Sequence, residues 1–196
     1  MLESIRTARK NGVVIFAAAG NEGGNRDVFW PAALYSSGDV ICISSSNDFG
    51  VQSGFNPEVE HGRRICTLGE GVPSCQPDLS SSLQVVHRSG TSFATPIAAA
   101  IAAIVLAVMD KADYGGFEED KERLLPRLRT ARGMESVLCK TCVARSGSNS
   151  SGFSYIAPWF FVDVEDKILV PKILDILGSI PESPFPSAEQ TTLVPG

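Results

Sequence analysis

Residues 13–19 read Val-Val-Ile-Phe-Ala-Ala-Ala and stop abruptly at Gly20-Asn21-Glu22-Gly23-Gly24-Asn25. The run is short and apolar at every position, so it has no face suited to water. A strand of that kind belongs inside a parallel sheet, with cover on both faces. Upstream, Leu2, Ile5 and Ala8 stand at helical spacing, and Asn11-Gly12 is a helix stop. Downstream, Val40–Ser44 and Arg64–Leu68 read as further strands and Gln84–His87 as a short extended segment. Ser53–Pro57 is irregular, and Pro73–Ser82 reads as a polar loop with no period. Trp30-Pro31-Ala32 is expected to be extended, because proline pushes the residue before it away from helix. A long alanine-rich helix is expected over Phe93–Met109. Strands and helices in alternation predict an α/β sheet with helices packed on it.

The chain has 196 residues, of which 43% are hydrophobic and 20% charged, a globular composition with enough length for a core. Its net charge of −5 gives no electrostatic attraction for nucleic acid or an anionic membrane. The longest apolar run, Ile97–Met109, has 13 residues and reads as a buried helix, being too short for a bilayer span. The first ten residues lack the apolar centre of a signal peptide. Five cysteines at irregular spacing are not a disulfide framework. Together these features point to an intracellular, cytoplasmic setting, unless an upstream part is missing. Cys139 and Cys142 form one C-x-x-C without the second pair that a zinc site needs, so they read as plain thiols.

Composition changes at Asp110–Gly116. Three regions are therefore expected: 1–110, a C-terminal extension over 111–180, and a loose tail over 181–196 that holds four prolines. Within the extension, a helix over Glu118–Cys139 should break or kink near Pro126. Ser146–Gly152 reads as a flexible loop.

Two strings carry chemistry. In Ser89-Gly90-Thr91-Ser92-Phe93-Ala94-Thr95-Pro96, glycine permits a sharp entry into the helix, and Pro96 fits a first turn whose N–H groups lack partners. Ser92 then sits at a helix N-terminus, where a free N–H and the helix dipole favour negative charge. An ordinary Ser/Thr cap would account for as much if the string stood alone. In Ala17-Ala18-Ala19-Gly20-Asn21-Glu22-Gly23, an asparagine follows the C-terminal end of a parallel strand, where α/β sheets place ligands. Its NH₂ can donate to an oxyanion.

The string Gly90-Thr91-Ser92-x-Ala94-Thr95-Pro96 resembles the nucleophile motif of the subtilisin-like serine proteases, or subtilases. It does not fit the G-x-S-x-G elbow, because position 94 is alanine. Ala18-Ala19-Gly20-Asn21-Glu22-Gly23 resembles the oxyanion-hole segment of the same family. Trp30-Pro31-Ala32, Val40–Ser44 and Gly71-Val72-Pro73-Ser74 resemble its later segments. There are departures. Leu68-Gly69-Glu70-Gly71 stands where the family has Ala-Pro-Gly, Ile97 where a histidine often follows the proline, and Ala100 where a helix glycine is usual. The resemblance covers about residues 1–110, and Gly133-Met134 and Tyr155–Trp159 look like the tails of intracellular fungal subtilase modules.

The resemblance implies the C-terminal part of a doubly wound parallel sheet and endopeptidase chemistry through an acyl-enzyme. Ser92 would be the nucleophile. Asn21 and the Ser92 N–H would hold the oxyanion, with Gly20, Gly23, Pro31, Gly90 and Thr91 along a polypeptide substrate. No cofactor or metal is implied. The family also needs an Asp and a His ahead of the serine, and neither a D-[ST]-G turn nor an H-G-T-H helix is present. His61 and His87 lack the family's context, and Glu70, Asp78, Asp110 and Asp113 read as solvated carboxylates. Three possibilities follow: a truncated half-domain inactive alone, half of a protease completed by another chain, or a non-catalytic interaction module. For a half-domain, Ser92 should point toward Asn21, Val13–Ala19 should be an unpaired edge, and the long helix should expose apolar surface.

Overall fold

The computed structural model describes residues 1–59, 64–77, 83–141, 152–157, 159 and 164–181. In chain order the elements are α1 (Leu2–Lys10), β1 (Phe16–Ala18), a 3-10 helix (Ala32–Tyr35), β2 (Ile41–Ser46), β3 (Ile65–Leu68), β4 (Val72–Pro77), β5 (Leu83–Arg88), α2 (Thr91–Lys111), α3 (Glu118–Leu128), α4 (Ala131–Thr141), β6 (Ser154–Tyr155) and α5 (Asp166–Gly178). Four strands form one parallel sheet in the order β1-β2-β3-β6, with Ala17 opposite Cys42, Ser45 opposite Thr67 and Cys66 opposite Tyr155.

Every residue of β2 is buried, as a central strand covered on both faces must be. Ile41, Ile43 and Ile65 share a core with Ala94, Ala98, Ile101, Ala102 and Val105 of α2. Ala94, Ala98 and Ala102 repeat every four residues, and these small side chains let the helix lie close to the strands. On the opposite face Ala17, Val40 and Cys42 meet Ala32, Ile5 and Leu34 from the 3-10 helix and α1. Leu124 and Leu128 of α3, Met134 and Leu138 of α4, and Ile173 and Leu177 of α5 close the same core that α2 builds.

Several expectations need correction. β1 is shorter than the apolar run that contains it, and Val13 is half exposed. The polar stretch after Gly71 is mostly strand, because β4 pairs antiparallel with β5. Among its described side chains the ribbon half-buries only Val72, Ser74 and Val86 on one side, too weak an alternation to show in the sequence, and Pro73 and Pro77 hid it further. Residues 78–82, with Asp78, lie outside the described residues. Pro31 has helical angles (φ −88°, ψ −1°) and leads into the 3-10 helix, and the Trp30–Pro31 peptide is cis. The helix expected over Glu118–Cys139 breaks after Pro126, at Arg129-Thr130. There Thr130 Oγ1 accepts from Gly133 N at 3.0 Å and caps the start of α4. A Cβ on Gly133 would lie 1.9 Å from the Arg127 carbonyl oxygen, so α4 can begin this close to α3 only with glycine. Strand β6 is two residues long and carried no local signal. His61, Cys142, most of Ser146–Gly152 and the tail from 182 lie outside the described residues.

α2 begins at Thr91, two residues before its expected start, and runs for 21 residues. By length and composition it qualifies as a bilayer-crossing helix, yet its inner side lies on the sheet. Pro96 therefore sits in the second turn, where it has no N–H to give the Ser92 carbonyl. The outer side exposes Ser92, Pro96, Ala100, Ala103 and Ala107 in one row, with Ile104 at 37%. Among the described residues, no strand pairs with the outer edge of β1.

α1 is pinned by Asp39, whose carboxylate is buried at the entry to β2 and pairs with Arg9, Arg6 and the Ser37 hydroxyl. Burial alone would push this carboxyl up. The hydrogen bonds from Ser37 and Arg9 and the positive charges of Arg9 and Arg6 outweigh it and hold the pKa below the usual value. A lowered native pKa stabilises the fold above the unfolded pKa and is lost as pH falls through the native one. Asp39→Asn should therefore destabilise the protein by roughly 1–2 kcal/mol at neutral pH, since both arginines are half exposed. Urea titrations should show that difference narrowing below about pH 4. A constant difference across that range would rule out the carboxylate's charge as its source.

Candidate active site

The site forms where the end of β1 meets the start of α2. Gly20 has φ +119°, and a Cβ there would lie 3.2 Å from the Phe29 ring, so only glycine turns the chain here. Thr91, about 70 residues on, is buried between the two segments. Its hydroxyl accepts from Gly20 N at 3.2 Å, and its one proton can go to Gly20 O (3.3 Å) or Asn21 Oδ1 (3.2 Å). Its backbone N–H donates to Asn21 Oδ1 at 2.9 Å. The carbonyl side of the Asn21 amide is thus committed to the helix, and its NH₂ group is left without a partner among the described residues.

Ser92 is exposed at the head of α2. Gly90 before it adopts φ 152°, ψ 158°, a conformation that L side chains rarely take. A Cβ on Gly90 would lie 3.2 Å from Ser92 Oγ and 3.3 Å from Asn21 Nδ2. The hydroxyl and the amide donor therefore face one small space, kept open by the absence of a side chain. Gly90 is itself held by its N–H to Gly69 O at 2.8 Å.

A cavity of about 380 Å³ opens beside this space. Gly20, Asn21, Glu22, Phe29, Trp30, Pro31, Thr91 and Ser92 line it, together with the β1 strand. Gly20, Pro31 and Thr91 from the expected substrate set are thus in the wall. Gly90 lies beneath Ser92 and Asn21, and Gly23 is turned aside, its N–H donating to Phe55 O at 2.9 Å.

Among the described residues no side chain hydrogen-bonds to Ser92 Oγ. His87 lies on the exposed β4–β5 ribbon, opposite Pro73. Asp110 pairs with Arg129 at 3.2 Å, and Asp113 accepts from Gly115 N at 3.0 Å. No group of His, Cys, Asp and Glu suited to a metal occurs among the described residues. Burial pushes the Cys42 and Cys66 thiols up to about 12 and that of Cys139 to about 11, so none is a ready nucleophile.

Sequence reasoning missed Ser45, Ser53, Asn56 and Gly69. A signal was present in Ser44-Ser45-Ser46, a polar triplet continuing an apolar strand. These serines are fully buried, and the Ser45 hydroxyl is partnered by Ser53, whereas no hydrogen bond is made by the Ser44 and Ser46 hydroxyls among the described residues.

A model of the subtilase family matches residues 1–151. The subtilisin-like protease het-Q2 of Podospora anserina is 28% identical over 156 residues, which span 72% of this chain and 39% of that protein. The minor extracellular protease Epr of Bacillus subtilis (strain 168) is 32% identical over 108 residues, or 53% of this chain and 15% of that protein. Among solved structures, the prenylagaramide maturation protease PagA superposes with a TM-score of 0.59 at 20% identity, covering 82% of this chain and 54% of that one. The patellamide maturation protease PatA gives 0.56 at 19% identity, covering 86% and 56%. These structures share the fold. The chain spans well under half the length of the curated relatives it matches.

Gly90→Ala should misplace both Ser92 and Asn21 and destabilise the chain by about 1–3 kcal/mol, from strained backbone plus the two close contacts. Gly71→Ala is the control: it has φ +64° but no atom within 4 Å of the added methyl, so its loss should be smaller, about 1 kcal/mol. Urea unfolding of both variants, with the Asn21 side-chain amide signal followed by NMR, checks this. Equal losses and an unmoved Asn21 signal would show that Gly90 is selected for its backbone angle alone.

Proposed function

This chain belongs to the subtilase family, and we propose that it carries the nucleophile half of a serine endopeptidase centre. The observation that supports this most is the pairing of Ser92 Oγ and Asn21 Nδ2 across the unfilled Gly90 position. In this reading Ser92 Oγ attacks the scissile carbonyl of a polypeptide, and its proton leaves to a base. The carbonyl oxygen gains negative charge and receives hydrogen bonds from the Asn21 NH₂ and the Ser92 N–H. Collapse expels the amine, which takes that proton back from the base, and leaves an acyl-serine, which water hydrolyses. The charge develops at the N-terminus of α2, a 21-residue helix whose dipole favours it.

Among the described residues no base is hydrogen-bonded to Ser92. A serine hydroxyl is a weak nucleophile without one. We assign it to a polypeptide portion bearing the family's catalytic Asp and His, on the same protein or on another chain. Two features favour such a docked portion. Among the described residues no strand pairs with the outer edge of β1, and the exposed row Pro96, Ala100, Ala103 and Ala107 runs down α2 from Ser92. A non-catalytic binding module is the second reading, favoured by the lack of a hydrogen-bonded base at Ser92 among the described residues.

The chain alone should show no proteolysis and no labelling by a fluorophosphonate probe. Co-expressed with a subtilase N-terminal half that supplies Asp and His, it should label at Ser92, and Ser92→Ala should abolish this. Asn21→Ala in the completed form should lower kcat by about 10²–10³ with KM nearly unchanged, the size found when such a donor is removed from another subtilase. Labelling of the isolated chain would show that a base lies within it. Stable association without any labelling would favour the binding module.

A further inference from the structure

Successive backbone groups of a strand point to alternate sides. On the side of β2 that faces β1, Ile41 N donates to Ile15 O, just ahead of β1, at 2.8 Å, and Ile43 O accepts from Ala19 N, just after it, at 3.0 Å. The next residue facing β1 is Ser45. By then the first strand has gone, because the chain turns off at Gly20-Asn21 to make the site. Ser45 is fully buried, so its N–H and C=O need partners.

The Asn56 side chain supplies both. Ser45 N donates to Asn56 Oδ1 at 2.8 Å, and Asn56 Nδ2 donates to Ser45 O at 2.7 Å. One carboxamide thus presents the acceptor and donor of a peptide group. Ser53 reinforces it, through Ser53 N to Ser45 O at 2.9 Å and Ser53 Oγ to Ser45 Oγ at 2.8 Å. The residue before Asn56 then reaches the site, since Phe55 O accepts from Gly23 N at 2.9 Å. Ser45 also touches the other half of the site. A Cβ on Gly69 would lie 2.5 Å from Ser45 Oγ and 2.9 Å from Gly90 O.

We infer that Asn56 is a positioning residue for the oxyanion donor. Its carboxamide stands in for the strand missing beside Ser45, and its neighbour Phe55 anchors the loop that carries Asn21. Asn56 touches no substrate in this role. The inference rests on reading Asn21 as the oxyanion donor, but its structural half can be tested without turnover.

The test is backbone amide hydrogen exchange by NMR on the full chain, compared with Asn56→Ala and Asn56→Asp. In Asn56→Ala the protection factors of Gly23 and Thr91 should fall by roughly tenfold or more, the scale of one or two lost hydrogen bonds. Those of Val105 and Leu138 in the helical core should stay unchanged. Asn56→Asp should behave like alanine at neutral pH and regain protection on acidification. Only the protonated acid can both accept from Ser45 N and donate to Ser45 O. Unchanged Gly23 and Thr91, an equal loss at Val105 and Leu138, or failure of both variants to fold would each overturn the inference. In the protease completed with Asp and His, Asn56→Ala should lower kcat and leave KM unchanged, and the reverse split would count against it. If the completed wild-type chain has no turnover, the catalytic reading fails, and the exchange measurement still decides whether Asn56 holds the Asn21 loop.

Discussion

The candidate site of this molecule depends on one clasp, formed by Thr91 with Gly20 and Asn21. Two segments about 70 residues apart are joined by the Thr91 hydroxyl, which takes the Gly20 N–H at 3.2 Å, and by the Thr91 N–H, which reaches Asn21 Oδ1 at 2.9 Å. Thr91 and Gly20 are buried, so water is kept from their hydrogen bond, while Asn21 reaches from there to the surface. It also sets the polarity of the Asn21 amide. Oδ1 is spent on the helix, which turns the NH₂ toward Ser92. A side chain at Gly90 would fill the space that this arrangement leaves.

The rest of the fold holds the clasp still. A parallel sheet covered on both faces makes β2 a rigid centre, and the alanines of α2 bring the helix that begins at Thr91 close against it. Gly69 and Gly90 let backbone approach backbone between β3 and that helix, with Gly90 N to Gly69 O at 2.8 Å. On the other side of Ser45, Asn56 fills the place where the first strand leaves. Preorganised donors of this kind act strongly because they need no rearrangement when charge appears.

The same geometry leaves work undone on the outside. Strand β1, whose outer edge no described strand pairs with, lines the cavity in which the proposed chemistry would take place, and the exposed row of α2 begins at Ser92 in its wall. An open strand edge and an uncovered apolar helix face are both surfaces that proteins usually cover. A portion that covered them would arrive next to Ser92, where the base is needed. Nucleophile activation and burial of this surface would then be one event.

The sequence by itself determined the fold class and the two ends of the site. An apolar run without alternation can only be a buried strand or a buried helix, and glycine-rich strings at a strand end and a helix start mark sharp turns whatever surrounds them. The turn at Gly20-Asn21 and the start of α2 to within two residues were legible for that reason, while Ser92 and Asn21 stood out as candidate site residues through the resemblance to the subtilases. The tertiary structure alone decided the β4–β5 ribbon, the two-residue β6, the break at Thr130 and the service of Asn56. Each of these depends on a partner far away or on a backbone group left unpaired elsewhere. Asn56 in an irregular turn looks like any turn asparagine until β1 departs and Ser45 is left facing an empty place in the sheet. Hydrogen-bond demand of that sort is created by packing, and no local pattern of residues records it.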